Sequence, residues 1–301
     1  MNQSSNIPLV SIIINCYNGE IHLRDCIKSI LSQTYKNWEL IFWDNQSEDG
    51  SETIFKSYKD KRFKYFKANS HTSLYKARNF AIKKANGELL SFIDVDDLWE
   101  NNKLELQVEL FNDPKISLVY SNLWIIKNKL KNKKIFQKKD SPSGFIYKKL
   151  LNEYNIGIIT VIFRKSIIKS ISKIFDERFS IIGDFEFFLR LSKSYYFHYI
   201  NTPLAYYRIH DKNYSSLHVE KEMEEIDIWL KENKNEISHQ QLKKIKKQTI
   251  LRKLLHLKFN KNYKNCFKIL MQNYTSFIIF KMLIIIFTPI YILKKVSRFH
   301  I

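Results

Sequence analysis

The sequence predicts an α/β fold: a doubly wound, largely parallel sheet through the first hundred residues, then a looser region, then a basic helical tail. Three observations point there. Residues 10–14 (VSIII) form a short continuous apolar run, the pattern of a strand buried on both faces of a parallel sheet. Strand-like and helix-like spacings then alternate as far as residue 94. Each strand pattern also stops at a polar cluster, and the carboxyl ends of the strands are where such a sheet places its ligands.

The elements follow in order. After the strand at 10–14, Leu23, Ile27, Ile30 and Leu31 recur at helical spacing. Residues 39–43 predict a second strand, broken by the polar stretch 44–50. A short helix at 53–58 and a third strand at 64–67 come next. Residues 74–85 predict a helix closed by Asn86-Gly87, read as a left-handed stop. Residues 89–94 predict a fourth strand that ends in acids. Beyond Leu98 the spacing predicts a helix at 101–111, a strand at 117–122, a strand at 157–164, a helix at 184–191 and a late strand at 204–209. The lysine-rich stretch 128–139 has little apolar content and predicts a solvated loop. Residues 219–247 read as one polar helical region, and from 267 the chain turns apolar and basic together. The expected division is an α/β region 1–218, in two halves that meet at about residue 100, and a helical region 219–301.

Composition narrows the classes. With 45% hydrophobic and 27% charged residues over 301, the chain is globular, and only six Gly and five Pro exclude a collagen-like or low-complexity one. Cys16, Cys26 and Cys266 are too scattered for a disulfide framework or a CxxC metal site, which predicts a reducing compartment. The opening MNQSSNIP lacks the basic and apolar pattern of a signal peptide. The net charge of +20 is unevenly spread: residues 237–301 hold fourteen Lys/Arg and no acid, and residues 115–175 hold fourteen against two. A basic tail on a mildly acidic body reads as attachment to something anionic.

Four polar clusters carry the candidate chemistry: Asn15-Cys16-Tyr17-Asn18, residues 44–50 (DNQSEDG), Asp94-Val95-Asp96-Asp97, and Gly183-Asp184-Phe185-Glu186 with His210 downstream. Any one of them is also ordinary turn punctuation. The acid cluster is the most informative. If the strand runs through it, Asp94 and Asp96 face the same way and Asp97 turns aside. Like charges so close raise each other's pKa unless a cation or donor holds them. Oxygen-only ligands suit Mg²⁺ or Mn²⁺ bridging to a diphosphate. The bland alternative is a solvated strand end capping the next helix.

The order VSIIINCYN (10–18), ILSQTY (30–35), WELIFWDNQSEDG (38–50), ARNFA (77–81), NGELLSFIDVDDLW (86–99), GDFEFFLRL (183–191) and YYRIH (206–210) resembles the family 2 glycosyltransferases across residues 8–210. The resemblance implies a GT-A fold, a Rossmann-like mixed sheet flanked by helices. It also implies a nucleotide-diphosphate sugar donor, a divalent Mn²⁺ or Mg²⁺, and inversion at the anomeric carbon. Carried over residue by residue, it places Tyr17, Asp44 and Asn45 at the base and ribose, with Arg78 contacting the nucleotide. Asp94 falls at the ribose or sugar, Asp96 at the metal with Asp97 beside it, Asp184 as the base, and His210 at the diphosphate or metal. Asn45 stands where the family often has a second Asp; its amide oxygen still accepts a uracil N–H, so a UDP-sugar is expected. Gly183-Asp184 replaces the family's common Glu-Asp pair and leaves one acid there.

Bland roles compete for several of these. Asp184 could be a first-turn acid, Tyr17 core filler, Arg78 a surface ion-pair residue and His210 an ordinary surface or packing histidine, while Glu186 with Arg190 is an i,i+4 pair. Trp99 and Trp124 either pack beneath the site or line an acceptor groove. A nucleic-acid-binding protein is the rival suggested by charge and 15% aromatics, but no helix-turn-helix, RRM or finger pattern is present. A catalytically silent sugar-nucleotide-binding scaffold of the same fold is the other rival, opposed by the joint retention of Asp96 and Asp184.

The tail predicts peripheral attachment to the inner face of the cell membrane through the segment 267–301, against the alternatives of a helix buried on the catalytic domain or a spanning helix. Such attachment fits a lipid-linked or glycan acceptor, and the resemblance implies a role in cell-surface polysaccharide synthesis. Residues 277–293 (FIIFKMLIIIFTPIYIL) are interrupted by Lys281 and Pro289 and fall short of the roughly 20 apolar residues of a spanning helix. Basic residues at both ends give no clear inside–outside asymmetry.

Overall fold

The computed structural model describes residues 7–127, 129–272 and 279–296. The chain divides into two compact units, Met1–Ile209 and His210–Ile301. Residues 1–6, 297–301 (Arg298 among them) and the first two residues of the 277–293 segment lie outside the described residues.

In the first unit, β1 (Val10–Cys16), β2 (Trp38–Asp44), β3 (Phe63–Lys67) and β4 (Leu89–Phe92) pair in parallel, alternating with α1 (Glu20–Leu31), α2 (Ser51–Lys56) and α3 (Leu74–Lys84). Next come β5 (Leu98–Trp99), α4 (Lys103–Glu109), β6 (Ile116–Lys127), β7 (Lys129–Ile135), α5 (Tyr147–Asn152), β8 (Ile162–Arg164), α6 (Ser166–Lys169), α7 (Gly183–Leu191) and β9 (Tyr196–Ile209). The strands form one sheet in the order β3-β2-β1-β4-β8-β6-β9-β5, with β7 on β6. Pairing turns antiparallel at β4–β8, so the sheet is mixed.

The parallel half forms as its residues dictate. β2 is buried at every position, as a strand covered on both faces requires. The buried Glu39 within it accepts from Ser11, from the Asn86 N–H and from Lys64. Against the upward push of burial, those donors hold its carboxyl below the ordinary value. Glu39 thereby ties β1, β2, β3 and the entry to β4 together.

The Asn86-Gly87 stop is not left-handed. Ala85 is already extended (φ −73°, ψ 134°), and Gly87 has another job. A Cβ there would lie 2.5 Å from the Leu9 carbonyl and 2.6 Å from the Ser11 nitrogen, so glycine permits β4 to be laid against β1.

Other expectations are corrected too. The solvated loop at 128–139 contains β7, antiparallel to β6 with Trp124 opposite Ile135. A ladder is built from backbone, and Lys134 stays in water while Lys133 lies over the Trp124 ring at 4.3 Å. The strand at 157–164 begins as a single 3₁₀ turn, Ile158–Thr160. The strand at 89–94 ends at Phe92, so the acids lie in a turn beyond it, closed by the Asp97 N–H on the Asp94 carbonyl at 3.0 Å. The argument from strand alternation therefore does not apply to Asp94 and Asp96.

The second unit is helical: α8 (Tyr214–Leu217), α9 (Val219–Glu232), α10 (His239–Phe259), α11 (Tyr263–Gln272), α12 (Ile279–Phe287) and α13 (Ile290–Val296). The helical region 219–247 is two helices, because Ser238 and Gln241 form a reciprocal capping box that starts α10 afresh. No helix among the described residues is long and apolar enough to cross a membrane.

Candidate active site

The site gathers at the carboxyl ends of β1, β2 and β4. The first two polar clusters are stitched to each other. The Asn18 N–H donates to Ser47 Oγ at 3.1 Å, and the Glu48 N–H returns to Asn18 Oδ1 at 2.8 Å. The Glu20 and Gly50 N–H groups donate to Asp49 and Glu20 carboxylates at 2.9 and 2.7 Å. Much of this polar sequence is thus spent on shaping two loops.

Asp44 is fully buried at the floor, accepting the Ser47 N–H at 2.7 Å and the Tyr65 hydroxyl at 2.6 Å. Asn45 turns both ends of its amide to one partner. Its NH₂ donates to the Thr72 carbonyl at 2.8 Å, and its oxygen accepts the Thr72 N–H at 3.2 Å and hydroxyl at 3.1 Å. It therefore anchors the loop before α3. Tyr17 is half exposed and lies against His71, ring centroids 4.3 Å apart. The amide of Asn15 beside it is buried at both ends with no hydrogen-bond partner.

α3 connects the two halves of the chemistry. Tyr75 and Arg78, three residues apart, share a helix face. Buried Arg78 pairs with Asp94 at 2.5 Å, while the Tyr75 hydroxyl donates to Asp184 Oδ1 at 3.0 Å. Asp184 itself is set by α7, whose Phe187 packs on Phe163 and Phe175 at 5.8 and 4.6 Å between centroids. Burying such a ring contributes about 1.5–3 kcal/mol, which fixes where α7 begins.

Gly183 explains the missing acid. A Cβ there would sit 2.5–2.6 Å from three carbons of the Tyr75 ring, so Tyr75 occupies the space a glutamate would need. Gly183→Ala is expected to cost about 1–3 kcal/mol by overpacking, read as a lower denaturation midpoint, and Gly183→Glu more. A variant as stable as the parent would mean that the ring is not confined.

The electrostatics differ from residue to residue. Burial pushes the Asp184 carboxyl up, and the charge of Arg78, the Tyr75 hydroxyl and the Phe185 N–H pull it back. Burial also raises Asp94; Arg78 opposes this and Asp96 adds to it. Asp97 is pushed well up by burial and then by Asp96 and Asp94. Its Oδ1 accepts the Arg208 N–H at 2.8 Å, while its buried Oδ2 has no hydrogen-bond partner. Arg208 also donates through Nε to the Asp96 carbonyl at 2.8 Å, which fixes the turn.

With Asp94 paired to Arg78, the chemistry left for a cation in this turn is the Asp96 carboxylate and the orphaned buried Oδ2 of Asp97. Among the described residues no group of three or more His, Cys, Asp or Glu forms a protein-only cage. A divalent ion here would take Asp96, with Asp97 beside it, and fill the rest of its shell with diphosphate and water oxygens.

Sequence reading missed Tyr75, His71, Arg208 and Tyr154. The Tyr154 hydroxyl is buried without a hydrogen-bond partner, and burial followed by the charges of Asp184 and Tyr75 pushes it well up. Of these only Arg208 stood in a quoted motif. Trp99 is structural: its indole donates to the Ile159 carbonyl at 2.9 Å. Glu186 and Arg190 pair at 2.7 Å within α7. His210 opens the second unit, its N–H on Asn213 Oδ1 at 2.6 Å.

The sequence profile of Glycosyl transferase family 2 matches residues 11–171. The chain belongs to this family. Among the relatives of this family 2 chain, the Escherichia coli UDP-Glc:alpha-D-GlcNAc-diphosphoundecaprenol beta-1,3-glucosyltransferase WfgD is 37% identical over 164 residues, 54% of this chain and 63% of WfgD. WfaP, an E. coli enzyme of the same description, is 34% identical over 205 residues, 68% of this chain and 78% of WfaP. The S. aureus TarS 1-349 structure in complex with UDP-GlcNAc superposes with a TM-score of 0.58 at 18% identity, covering 69% of this chain and 60% of that one. That likeness confirms the expected GT-A fold. The chain spans less than two thirds of WfgD and of the TarS chain.

Proposed function

We propose that this chain is an inverting glycosyltransferase. It moves a sugar from a nucleotide-diphosphate donor, a UDP-sugar, to a hydroxyl of a lipid-diphosphate-linked glycan in cell-surface polysaccharide synthesis. The carrying observation is the double engagement of α3, Arg78 with Asp94 and Tyr75 with Asp184, which joins a donor-side acid to a partly buried base. The WfgD and WfaP names, both describing UDP-Glc donors and diphosphoundecaprenol acceptors, support the substrate classes.

In this reading Tyr17, Asp44 and Asn45 shape the base and ribose pocket, Asp44 and Asn45 by fixing its walls. Arg78 holds Asp94 toward the ribose or sugar. Asp96, with Asp97 beside it, would hold a divalent Mn²⁺ or Mg²⁺, whose charge would neutralise that of the departing diphosphate. His210 contributes at the diphosphate or metal. Asp184 takes the proton from the acceptor hydroxyl as that oxygen attacks the anomeric carbon opposite the leaving group, so no protein nucleophile is required. The enzyme works at the inner face of the cytoplasmic membrane, held by its C-terminal region, and the catalytic region runs through about residue 218. Thermal stabilisation by a panel of sugar nucleotides, with and without Mn²⁺, tests the donor assignment. UDP-sugars should stabilise the chain and need metal to do so fully; indifference to every nucleotide sugar refutes the reading.

Tyr75 supplies a second test. A base works ionised, so activity is lost as pH falls through its pKa. The Tyr75 hydroxyl favours the ionised form of Asp184. Removing it in Tyr75→Phe raises that pKa, so the acidic limb of kcat/KM should move to higher pH while the plateau changes little. An unmoved limb with a lowered plateau would assign Tyr75 to packing alone.

A further inference from the structure

The second unit has a core of its own and a second apolar surface that this core does not use. Leu254 and Leu257 of α10, Cys266 and Ile269 of α11, and Met282 and Ile286 of α12 are buried against one another. The opposite sides of the last helices remain apolar. On α11, Tyr263, Phe267 and Met271 stand at i, i+4 and i+8; on α12, Phe280, Ile284 and Phe287 stand at i, i+4 and i+7. Tyr291 on α13 follows, and all seven are between 45 and 73% exposed. Soluble surfaces rarely expose large apolar side chains in continuous stripes without a partner.

The corner after α12 is locked. The buried Lys258 ammonium donates to the Ile286 and Thr288 carbonyls, the latter at 2.7 Å. It satisfies one carbonyl in the last turn of α12 and one just beyond it, before Pro289 turns the chain. The apolar segment is therefore held as two short helices and is not available as one long one.

Charge selects the occupant. Residues 237–301 contain no acid, and Lys264, Lys268 and Lys281 are exposed on the same two helices. A second copy would set this cationic surface against itself, whereas anionic lipid headgroups complement it.

We infer that the outward stripes of α11, α12 and α13 form a preassembled face that docks on an anionic lipid bilayer, lying in its interface without crossing it. The inference deepens the membrane reading above and rests on it: it names the surface and predicts that the helices stay folded as they are. The aromatic and aliphatic side chains enter the headgroup–acyl boundary and the lysines stay at the phosphates.

Vesicle co-sedimentation of the full chain tests this, with phosphatidylcholine alone or mixed with phosphatidylglycerol. The parent should bind the mixed vesicles, and weaken with salt. Phe280→Ser/Phe287→Ser/Tyr291→Ser should reduce binding at least tenfold with an unchanged thermal midpoint, because these positions are exposed. Ile228→Ser, an exposed apolar position on α9, should leave binding intact. Lys264→Glu/Lys268→Glu/Lys281→Glu, with both stripes kept, should abolish the preference for anionic vesicles. Undiminished binding by the triple serine variant overturns the face while leaving membrane attachment standing. A parent that ignores both kinds of vesicle overturns both. A parent that self-associates instead, and loses this in the serine variant, assigns the face to a second copy.

Discussion

Asp184→Asn should lower turnover at least about a hundredfold, the lower end of general-base effects, with donor affinity nearly unchanged. The structure gives both halves of that expectation. Asp184 belongs to α7, apart from the loops after β1 and β2 to which the proposal assigns the nucleotide pocket. An asparagine keeps an oxygen for the Tyr75 hydroxyl and the Phe185 N–H, which donate to Oδ1 at 3.0 and 2.9 Å. The fold and the α3 contact should survive while the proton acceptor is lost. Turnover measured beside donor titration makes the check. Loss of donor binding with unaffected single-turnover chemistry would move Asp184 out of the base role.

Asp96→Asn should remove metal-dependent donor binding and transfer together. An amide is a much poorer ligand for a hard dication than a carboxylate, and Asp94 in the same turn is already paired with Arg78. The fold should persist, since the Arg208 guanidinium holds the backbone carbonyl of Asp96, a contact that the substitution keeps. Donor titration with and without Mn²⁺ reads the result. Full activity of the purified variant in saturating metal contradicts the assignment.

What was legible in the sequence was local and periodic. β1 and β2 were readable because strands covered on both faces are continuous apolar runs. The strand-end clusters and Arg78 were readable through ordered motifs that resemble a family. β7 was not, since its strand rests on backbone pairing and its side chains are mostly lysine. β5 is two residues long and has no period to detect. The acid turn was misjudged by two residues, and that alone voided the argument that Asp94 and Asp96 share a strand face. Tyr75 was invisible for a different reason: its partner lies 109 residues downstream, and only the folded chain sets the ring over Gly183. Asn45 shows the converse. The resemblance put it at the base and ribose, and the structure spends its amide on Thr72.

The most direct measurement is release of nucleoside diphosphate by the full chain, supplied with UDP-glucose, Mn²⁺ and a lipid-diphosphate-linked sugar acceptor. The account predicts release that requires the acceptor, yields a product of opposite anomeric configuration to the donor, and disappears in Asp184→Asn. Release that proceeds equally in Asp184→Asn, or a product that retains the donor configuration, would contradict it.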